Sequence, residues 1–243
     1  MIEALSVDGI TTRYGKRIVI QEISLRVEVG EIFGLIGLNG VGKTTLIKTI
    51  LDLVTPAAGT VRIFDEDNRL PASRSKLSYL PENFRPSPLL TGIEFLRFNL
   101  SYCGVPLDRD RSENLARGLG FDPAALNRRI GTYSMGMGQQ LGLMGMLMTD
   151  MPLLILDEPM TGLDPRARIR LKQQLSQHRA AGNTMFFSSH ILSDVEELCD
   201  RIGIVHMGRL AYLGTPEELK QQHGATSLEK AFLVAIEQTE LAG

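Results

Sequence analysis

The stretch Gly37-Leu38-Asn39-Gly40-Val41-Gly42-Lys43-Thr44 determines how the rest of the chain is interpreted. It follows an apolar run over 32–36 and precedes a run over 45–51 in which apolar residues recur at helical spacing. An apolar run without polar alternation predicts a strand buried on both faces. The glycines therefore lie on a predicted strand–loop–helix turn, the context that a G-x-x-x-x-G-K-[ST] phosphate-binding loop requires.

The chemistry of this loop predicts a nucleoside-triphosphate site. Its glycines let the backbone wrap around an anion with the N–H groups pointing inward, and the N-terminus of the next helix adds partial positive charge. Lys43 can reach the β- and γ-phosphates, and the Thr44 hydroxyl can bind Mg²⁺. The residues predicted to hold the nucleotide are Asn39, Gly40, Val41, Gly42, Lys43, Thr44 and Thr45.

Composition narrows the class of protein. The chain has 243 residues and a formal charge of −2, and this lack of basic excess argues against nucleic acid as a partner. Cys103 and Cys199 have no metal-binding spacing and are interpreted as free thiols of a reducing compartment. Residues 1–5 do not resemble a signal peptide, and the apolar stretch 141–156 is too short to span a bilayer. These features predict a soluble, cytosolic protein.

The pattern of strands and helices predicts an α/β fold with a helical insertion. Residues 1–35 contain short β-type runs at 5–7, 18–20 and 23–27, and further strands are predicted at 60–64 and 76–80. Prolines 81, 86 and 88 then interrupt regular structure, and the segment from 85 to 148 has helical periodicity. The strand pattern returns at 153–156 and 184–187, and a hairpin around Gly208 follows. We therefore predict a core formed by 1–84 and 149–243, interrupted by a helical part over 85–148.

Four helix starts are predicted from capping residues. Thr91 and Glu94 fit a capping box, and Thr215-Pro216-Glu217-Glu218 combines a cap, a first-turn proline and a capping-box acid. Asp122-Pro123 and Asp164-Pro165 each pair an N-cap with a proline in the first turn. Near the end, Leu228, Phe232 and Ile236 recur every four residues, which predicts a docked core helix.

Two acids and a histidine are further candidates for chemistry. Asp157 and Glu158 end an apolar strand, where a buried carboxylate needs compensation that a cation supplies. Asp157 is the predicted partner of Mg²⁺ opposite Thr44, and Glu158 the predicted general base for an attacking water. His190 follows the strand 184–187 and is predicted to contact the γ-phosphate. The alternatives are a solvated strand end for the acids and a structural role for the histidine.

Together with these residues, the run Tyr133-Ser134-Met135-Gly136-Met137 resembles the signature loop of ABC transporter ATP-binding subunits, in the variant of type 2 exporter-like ATPases. The stretch 161–164 is similar to the D-loop of that family, His190 to its switch histidine and Tyr14 to its adenine-stacking aromatic residue. On spacing alone, Tyr14 could equally be an exposed aromatic residue. The resemblance covers about residues 3–220 and implies a P-loop NTPase core with an antiparallel β subdomain and a helical insertion that carries the signature loop.

The resemblance also implies function. Two copies, forming a homodimer in the ATP-bound state, would enclose two Mg-ATP molecules, with Ser134, Gly136 and Asp164 of one copy meeting the nucleotide of the other. ATP hydrolysis by Glu158, His190 and Lys43 would then drive a separate membrane-spanning permease, with this subunit on the cytoplasmic face of the membrane. A non-transport ATPase that switches a soluble partner is the alternative. The apolar, proline-rich loop 82–92 and the start of the following helix are the predicted contact with the permease.

The sequence departs from the family pattern at several positions. Met135 replaces a residue that is often glycine or basic, and Gly138 and Gln140 replace a lysine and an arginine usual around Gln139. Glu82 stands where the coupling loop of the family has glutamine. We predict that Glu82 takes part in Mg²⁺ binding together with Thr44 and Asp157; the alternative is that it only faces solvent.

Overall fold

The computed structural model describes residues 2–242 and contains two β-sheets flanked by helices. The larger sheet has six strands in the order β10-β9-β3-β8-β7-β6. Its parallel strands are β3 (Ile32–Ile36), β6 (Leu77–Leu80), β7 (Leu153–Asp157), β8 (Thr184–Ser189) and β9 (Arg201–His206). The antiparallel edge strand β10 (Arg209–Gly214) completes the predicted hairpin with β9.

The smaller sheet is antiparallel and has the order β2-β1-β4-β5. Its strands are β1 (Glu3–Tyr14), β2 (Arg17–Glu28), β4 (Ala58–Ile63) and β5 (Glu66–Asp67). Here the predicted short runs were wrong, because 18–20 and 23–27 belong to one twelve-residue strand. The break between them is a local irregularity at Glu22, which has φ +52° and donates its N–H to Thr11 Oγ1 at 3.0 Å. This hydrogen bond to the neighbouring strand β1 holds the irregular residue in place, so β2 continues through it.

Helices cover both faces of the large sheet. The helices outside the segment 85–148 are α1 (Lys43–Ile50), α2 (Pro71–Arg74), α6 (Pro165–Ala180), α7 (Leu192–Leu198), α8 (Pro216–Gln222) and α9 (Leu228–Ala242). The strands β3, β7 and β8 are buried along their whole length, as expected for parallel strands covered on both faces. Leu228, Phe232 and Ile236 of α9 are buried, so the predicted docking of this helix is confirmed.

The segment predicted as helical contains α3 (Gly92–Tyr102), α4 (Arg109–Leu119) and α5 (Met135–Leu147). The capping box of Thr91 and Glu94 is present at α3. Asp122 caps its helix as predicted, but Pro123–Asn127 is a short 3-10 helix because the chain leaves the helical conformation at Arg128. Asp164 and Thr215 cap α6 and α8.

Between residues 2 and 242, no helix combines the length and apolar character that crossing a membrane requires.

Candidate functional site

The phosphate loop joins the end of β3 to the start of α1, as the sequence predicts. Gly42 precedes the helix with φ +113°, and a Cβ there would lie 2.4 Å from Ile20 Cγ2. A Cβ at Gly37 would lie 2.4 Å from the carbonyl oxygen of Val205. Only glycine fits either position, because any larger residue would push the loop off the neighbouring strands.

Lys43 is the first residue of α1 and is buried, with 6% of its surface exposed. Its Nζ donates to the carbonyl oxygens of Gly37 at 2.7 Å and Leu38 at 3.3 Å. The ammonium group is thus held over its own loop by two backbone dipoles. A phosphate at the loop would give this cation a stronger, fully charged partner.

A cleft of ≈ 290 Å³ opens beside the loop. It is bordered by loop residues, by the side chain of Val19 and by two acids. The lining residues are Val19, Asn39, Gly40, Gly42, Lys43, Thr44, Thr45, Glu82 and Glu158. The cleft therefore brings together most of the residues predicted from the phosphate-loop pattern; Val41 packs instead against the buried cluster beneath the smaller sheet.

Glu158 lies between a lysine and a histidine. Its Oε1 is 3.3 Å from Lys43 Nζ, an ion-pair distance at which Oε1 still accepts no hydrogen bond, and its Oε2 is 2.9 Å from His190 Nδ1. The residue is buried and has φ +51°, a backbone conformation that is uncommon outside glycine. Its N–H donates to the Ser188 carbonyl oxygen and hydroxyl, at 3.2 and 3.1 Å, which holds this conformation. Strained backbone of this kind is concentrated at functional sites.

Asp157 ends β7 and is almost fully buried. The Ser188 hydroxyl donates to Asp157 Oδ1 at 2.5 Å, because Asp157 and Ser188 are partners in the parallel register of β7 and β8. Ser188 thus contacts both acids, a role that was not predicted. The available signal was a hydroxyl at the carboxyl end of an apolar strand, next to the strand that ends in Asp157.

The donor set suits Mg²⁺. Thr44 and Glu82 supply a hydroxyl and a carboxylate to the cleft, and Asp157, which directly precedes Glu158, is a buried carboxylate. Oxygen ligands of this type, used one or two at a time with phosphate oxygens, are what Mg²⁺ takes in nucleotide sites. The buried Oε1 of Glu158, which accepts no hydrogen bond, is a further group that a cation or a water would satisfy. Within the part of the chain that the structure describes, no group of three or more His, Cys, Asp and Glu side chains is arranged to hold a metal ion by itself.

Glu82 is exposed and lines the cleft, so it faces both solvent and the phosphate loop. It also shares surroundings with Asp157. Burial, followed by the negative charges of Asp157 and Glu82, raises the pKa of Tyr79 to about 12. Because β6 and β7 are parallel neighbours, the residues that follow them reach the same edge of the sheet.

Tyr14 ends β1, opposite Arg17, and is half exposed. The strand residue that borders the cleft is Val19 of β2. Tyr14 thus stands outside the lining of the cleft, on the same sheet as Val19. Its role in stacking on a base stays a prediction.

The loop 133–137, which resembles the signature loop, forms a second cluster together with residues 161–164. Ser134 caps α5 by accepting a hydrogen bond from the Met137 N–H at 3.2 Å. A Cβ at Gly136 would lie 3.0 Å from the carbonyl oxygen of Gly162, so this loop packs against the D-loop. Asp164 Oδ1 accepts hydrogen bonds from the N–H groups of Arg166 and Ala167, which caps α6. All three residues line a polar cleft of ≈ 560 Å³.

The structure does not bring the two clusters together. The cleft at Ser134, Gly136 and Asp164 shares no lining residue with the cleft at Lys43 and Thr44. The two groups of predicted site residues therefore lie in separate clefts of one chain.

These features define a nucleotide-binding P-loop protein with an added helical segment. The model of the ABC transporter family matches residues 20–161. An ABC transporter ATP-binding protein of Nostoc is 39% identical over 84% of this chain and 62% of its own length. A Nod factor export ATP-binding protein I of Cupriavidus metallidurans is 33% identical over 90% of this chain and 73% of its own.

A solved structure, an ATP binding subunit of an ABC transporter, has a TM-score of 0.84 and 31% identity, covering 96% of this chain and 99% of that one. The chain therefore belongs to the ABC transporter family and is one of its ATP-binding proteins. The predicted family and fold class are confirmed. The chain spans less than two thirds of the length of the Nostoc relative.

Proposed function

We propose that this chain binds Mg-ATP, hydrolyses it and drives a separate membrane permease of an exporter. The observation that carries the proposal is the Glu158 carboxylate, buried at the phosphate-loop cleft between Lys43 Nζ at 3.3 Å and His190 Nδ1 at 2.9 Å. A carboxylate held at that place is positioned to accept a proton from a water that attacks the γ-phosphate. The relative from Cupriavidus metallidurans, whose name describes Nod factor export, supports the exporter class.

Each residue of the cleft has a separate task. The N–H groups of the loop from Asn39 to Thr45 bind the phosphates, and Lys43 turns from the Gly37 carbonyl to the β- and γ-phosphates. Thr44, Asp157 and Glu82 hold Mg²⁺, which neutralises phosphate charge when bound. Glu158 takes the proton from water, and His190 fixes the Glu158 carboxylate and contacts the γ-phosphate.

A second copy of the chain completes the site. In a two-fold dimer each surface patch meets its complement twice, so the Ser134 and Gly136 cluster of one copy can close on the Lys43 cluster of the other. The N-terminus of α5, with the Ser134 hydroxyl, is suited to an anion such as the γ-phosphate. The assembly is a homodimer that encloses two ATP molecules.

The permease docks beside Glu82. A largely apolar groove of ≈ 280 Å³ lies between the loop 82–88 and the signature loop, and Phe84, Pro86, Pro88 and Tyr133 are among its lining residues. Of the apolar residues in the predicted contact, Leu89 is 74% exposed, whereas Phe84, Leu90, Ile93 and Phe95 pack against the larger core, and Phe84 also lines the groove. The contact is therefore the groove and Leu89, and it places this subunit on the cytoplasmic face of the membrane.

Lys43→Ala tests the proposed function. Removing the cation that meets the phosphates should lower the rate of ATP hydrolysis by about 10²-fold or more and weaken ATP binding. Lys48→Ala is the matched control, because Lys48 is an exposed lysine on the same helix. Hydrolysis measured on the purified chains should separate the two variants, and a Lys43→Ala rate close to that of wild type would refute the assignment.

A further inference from the structure

The position of Glu82 depends on a residue two places further along the chain. β6 ends at Leu80, and the loop that follows contains Glu82 and Phe84. Within residues 2–242 no hydrogen bond holds the Glu82 side chain, whereas Phe84 packs against the larger core. Two residues of chain span at most about 7 Å, so the place where Phe84 is held limits where Glu82 can reach.

The ring of Phe84 lies directly on the backbone of α5. A Cβ added to Gly142 would be 2.6 Å from Phe84 Cδ1, 2.8 Å from Phe84 Cε1 and 2.7 Å from Leu80 Cδ1. The missing side chain of Gly142 is therefore the space that the ring occupies. Phe95 of α3 closes the other side, with ring centroids 5.6 Å apart and an angle of 60° between the planes.

The same helix also contacts the chain beyond the other acid. Gln139 of α5 donates from Nε2 to the carbonyl oxygen of Pro159 at 3.4 Å, and Pro159 follows Glu158. Ser134, which caps α5, is eight residues before Gly142, a distance of about 12 Å along a rigid helix. α5 thus starts directly after Ser134, and it contacts both the loop that contains Glu82 and the chain that follows Glu158.

We infer that Phe84 is a positioning residue, which fixes the place of Glu82 at the cleft through its contact with Gly142 of α5. The inference rests on the proposed function for its consequence, because displacement of Glu82 matters where ATP and Mg²⁺ bind. Phe84 touches no reacting atom. Because Phe84 contacts Gly142, the position of α5 limits where Glu82 can lie at the phosphate-loop cleft of the same chain.

The test is a cycle of two single variants and their combination. Gly142→Ala adds a methyl group where the ring lies, Phe84→Leu shortens the ring and leaves a gap, and the double variant restores the summed volume. Phe98→Leu is the control for loss of an aromatic ring, because Phe98 is 55% exposed on α3 and packs on Tyr102 rather than on α5. Each variant is made in the full chain.

The first measurement is NMR relaxation of the backbone amides of residues 82–85 without nucleotide. Both single variants should show larger-amplitude backbone motion there than wild type, and the double variant should return toward wild type. The second measurement is steady-state ATP hydrolysis. The single variants should lose about tenfold in kcat with KM for ATP within about twofold, and the double variant should recover most of the loss.

Several results would overturn the inference. Losses that simply multiply in the double variant would show that Phe84 and Gly142 act independently. Backbone motion at 82–85 that is the same in Phe84→Leu as in Phe98→Leu would show that the ring does not hold Glu82. If Gly142→Ala fails to fold, the comparison of Phe84→Leu with Phe98→Leu still decides the matter. The relaxation measurement needs no ATP, so it separates failure of this inference from failure of the proposed hydrolysis.

Discussion

Glu82 brings a full negative charge to the rim of the phosphate-loop cleft. It lines the cleft with Thr44 and Glu158, and its charge contributes to the raised pKa of Tyr79. A charge pair about 5 Å apart, at an effective dielectric constant near 20, is worth about 3 kcal/mol. We therefore expect the charge of Glu82 to favour Mg²⁺ and to oppose a γ-phosphate without the cation, so that ATP binding depends on Mg²⁺.

Glu82→Gln should therefore remain active and respond less strongly to Mg²⁺ concentration. The neutral amide still offers an oxygen to Mg²⁺, but it no longer repels a γ-phosphate that lacks the cation. The measurement is a Mg²⁺ titration of the ATP hydrolysis rate, with Glu237→Gln as the control because Glu237 is an exposed acid on α9. Identical titration curves for wild type and Glu82→Gln would mean that Glu82 only faces solvent.

At this scale the sequence predicted residues whose chemistry is unusual for their place. Lys43 stands out as a lysine in a glycine-rich loop, and Asp157 and Glu158 stand out as two acids at the end of an apolar run. Ser188 does not stand out, because a serine at a strand end is ordinary until the register with β7 is known. The hydrogen bonds of Lys43 to the carbonyl oxygens of Gly37 and Leu38 could not be predicted either, because they depend on how the loop closes.

The start of α3 is the element that separates the Glu82 loop from the helical segment. Thr91 Oγ1 accepts from the Glu94 N–H at 3.3 Å, and Glu94 Oε2 accepts from the Thr91 N–H at 2.8 Å. The hydrogen bonds from the backbone N–H and hydroxyl of Thr91 hold the pKa of Glu94 below its usual value. The cap therefore stabilises α3 fully above the pKa that Glu94 has in the unfolded chain, and this part is lost as the pH falls through the lower folded-state pKa.

Thr91→Ala should lower the free energy of unfolding by about 1 kcal/mol at neutral pH, the usual effect of removing an N-cap hydroxyl. The difference from wild type should shrink in acid, where Glu94 is protonated and the capping box is already weakened. Denaturant unfolding at neutral and acidic pH measures both effects. A stability equal to that of wild type at neutral pH would show that this cap does not determine where α3 begins.

Capping residues were predictable because their physics is local. Thr91, Asp164 and Thr215 each begin the helix that their sequence indicates. The length of β2 could not be predicted, because the strand continues through Glu22 only with a hydrogen bond to Thr11 on the adjacent strand. Local patterns therefore located the helix starts, and tertiary contacts decided the strand ends.

In the molecule as a whole, the predicted site residues form two separate clusters. The parallel strands β3, β7 and β8 bring Lys43, Glu158 and His190 to one edge of the sheet. The helical segment carries Ser134 and Gly136 to a different cleft. The order of the motifs predicted both clusters but not their separation, because the place of α5 follows from packing with α3 and α4.

We expect ATP to join two copies of this chain. Glu158→Gln should keep ATP bound and stop its cleavage, because an amide cannot accept the proton of the attacking water. The trapped nucleotide would then hold the Lys43 cluster of one copy against the Ser134 cluster of the other. Lys43→Ala added to Glu158→Gln is the control, because it weakens the nucleotide contact without touching Ser134 or Gly136.

Size-exclusion chromatography of Glu158→Gln with light scattering, at micromolar protein concentration, measures this association. We expect a dimer in Mg-ATP, a monomer after EDTA and a monomer for the control variant under both conditions. A Glu158→Gln chain that binds ATP and still elutes as a monomer would show that ATP does not join two chains.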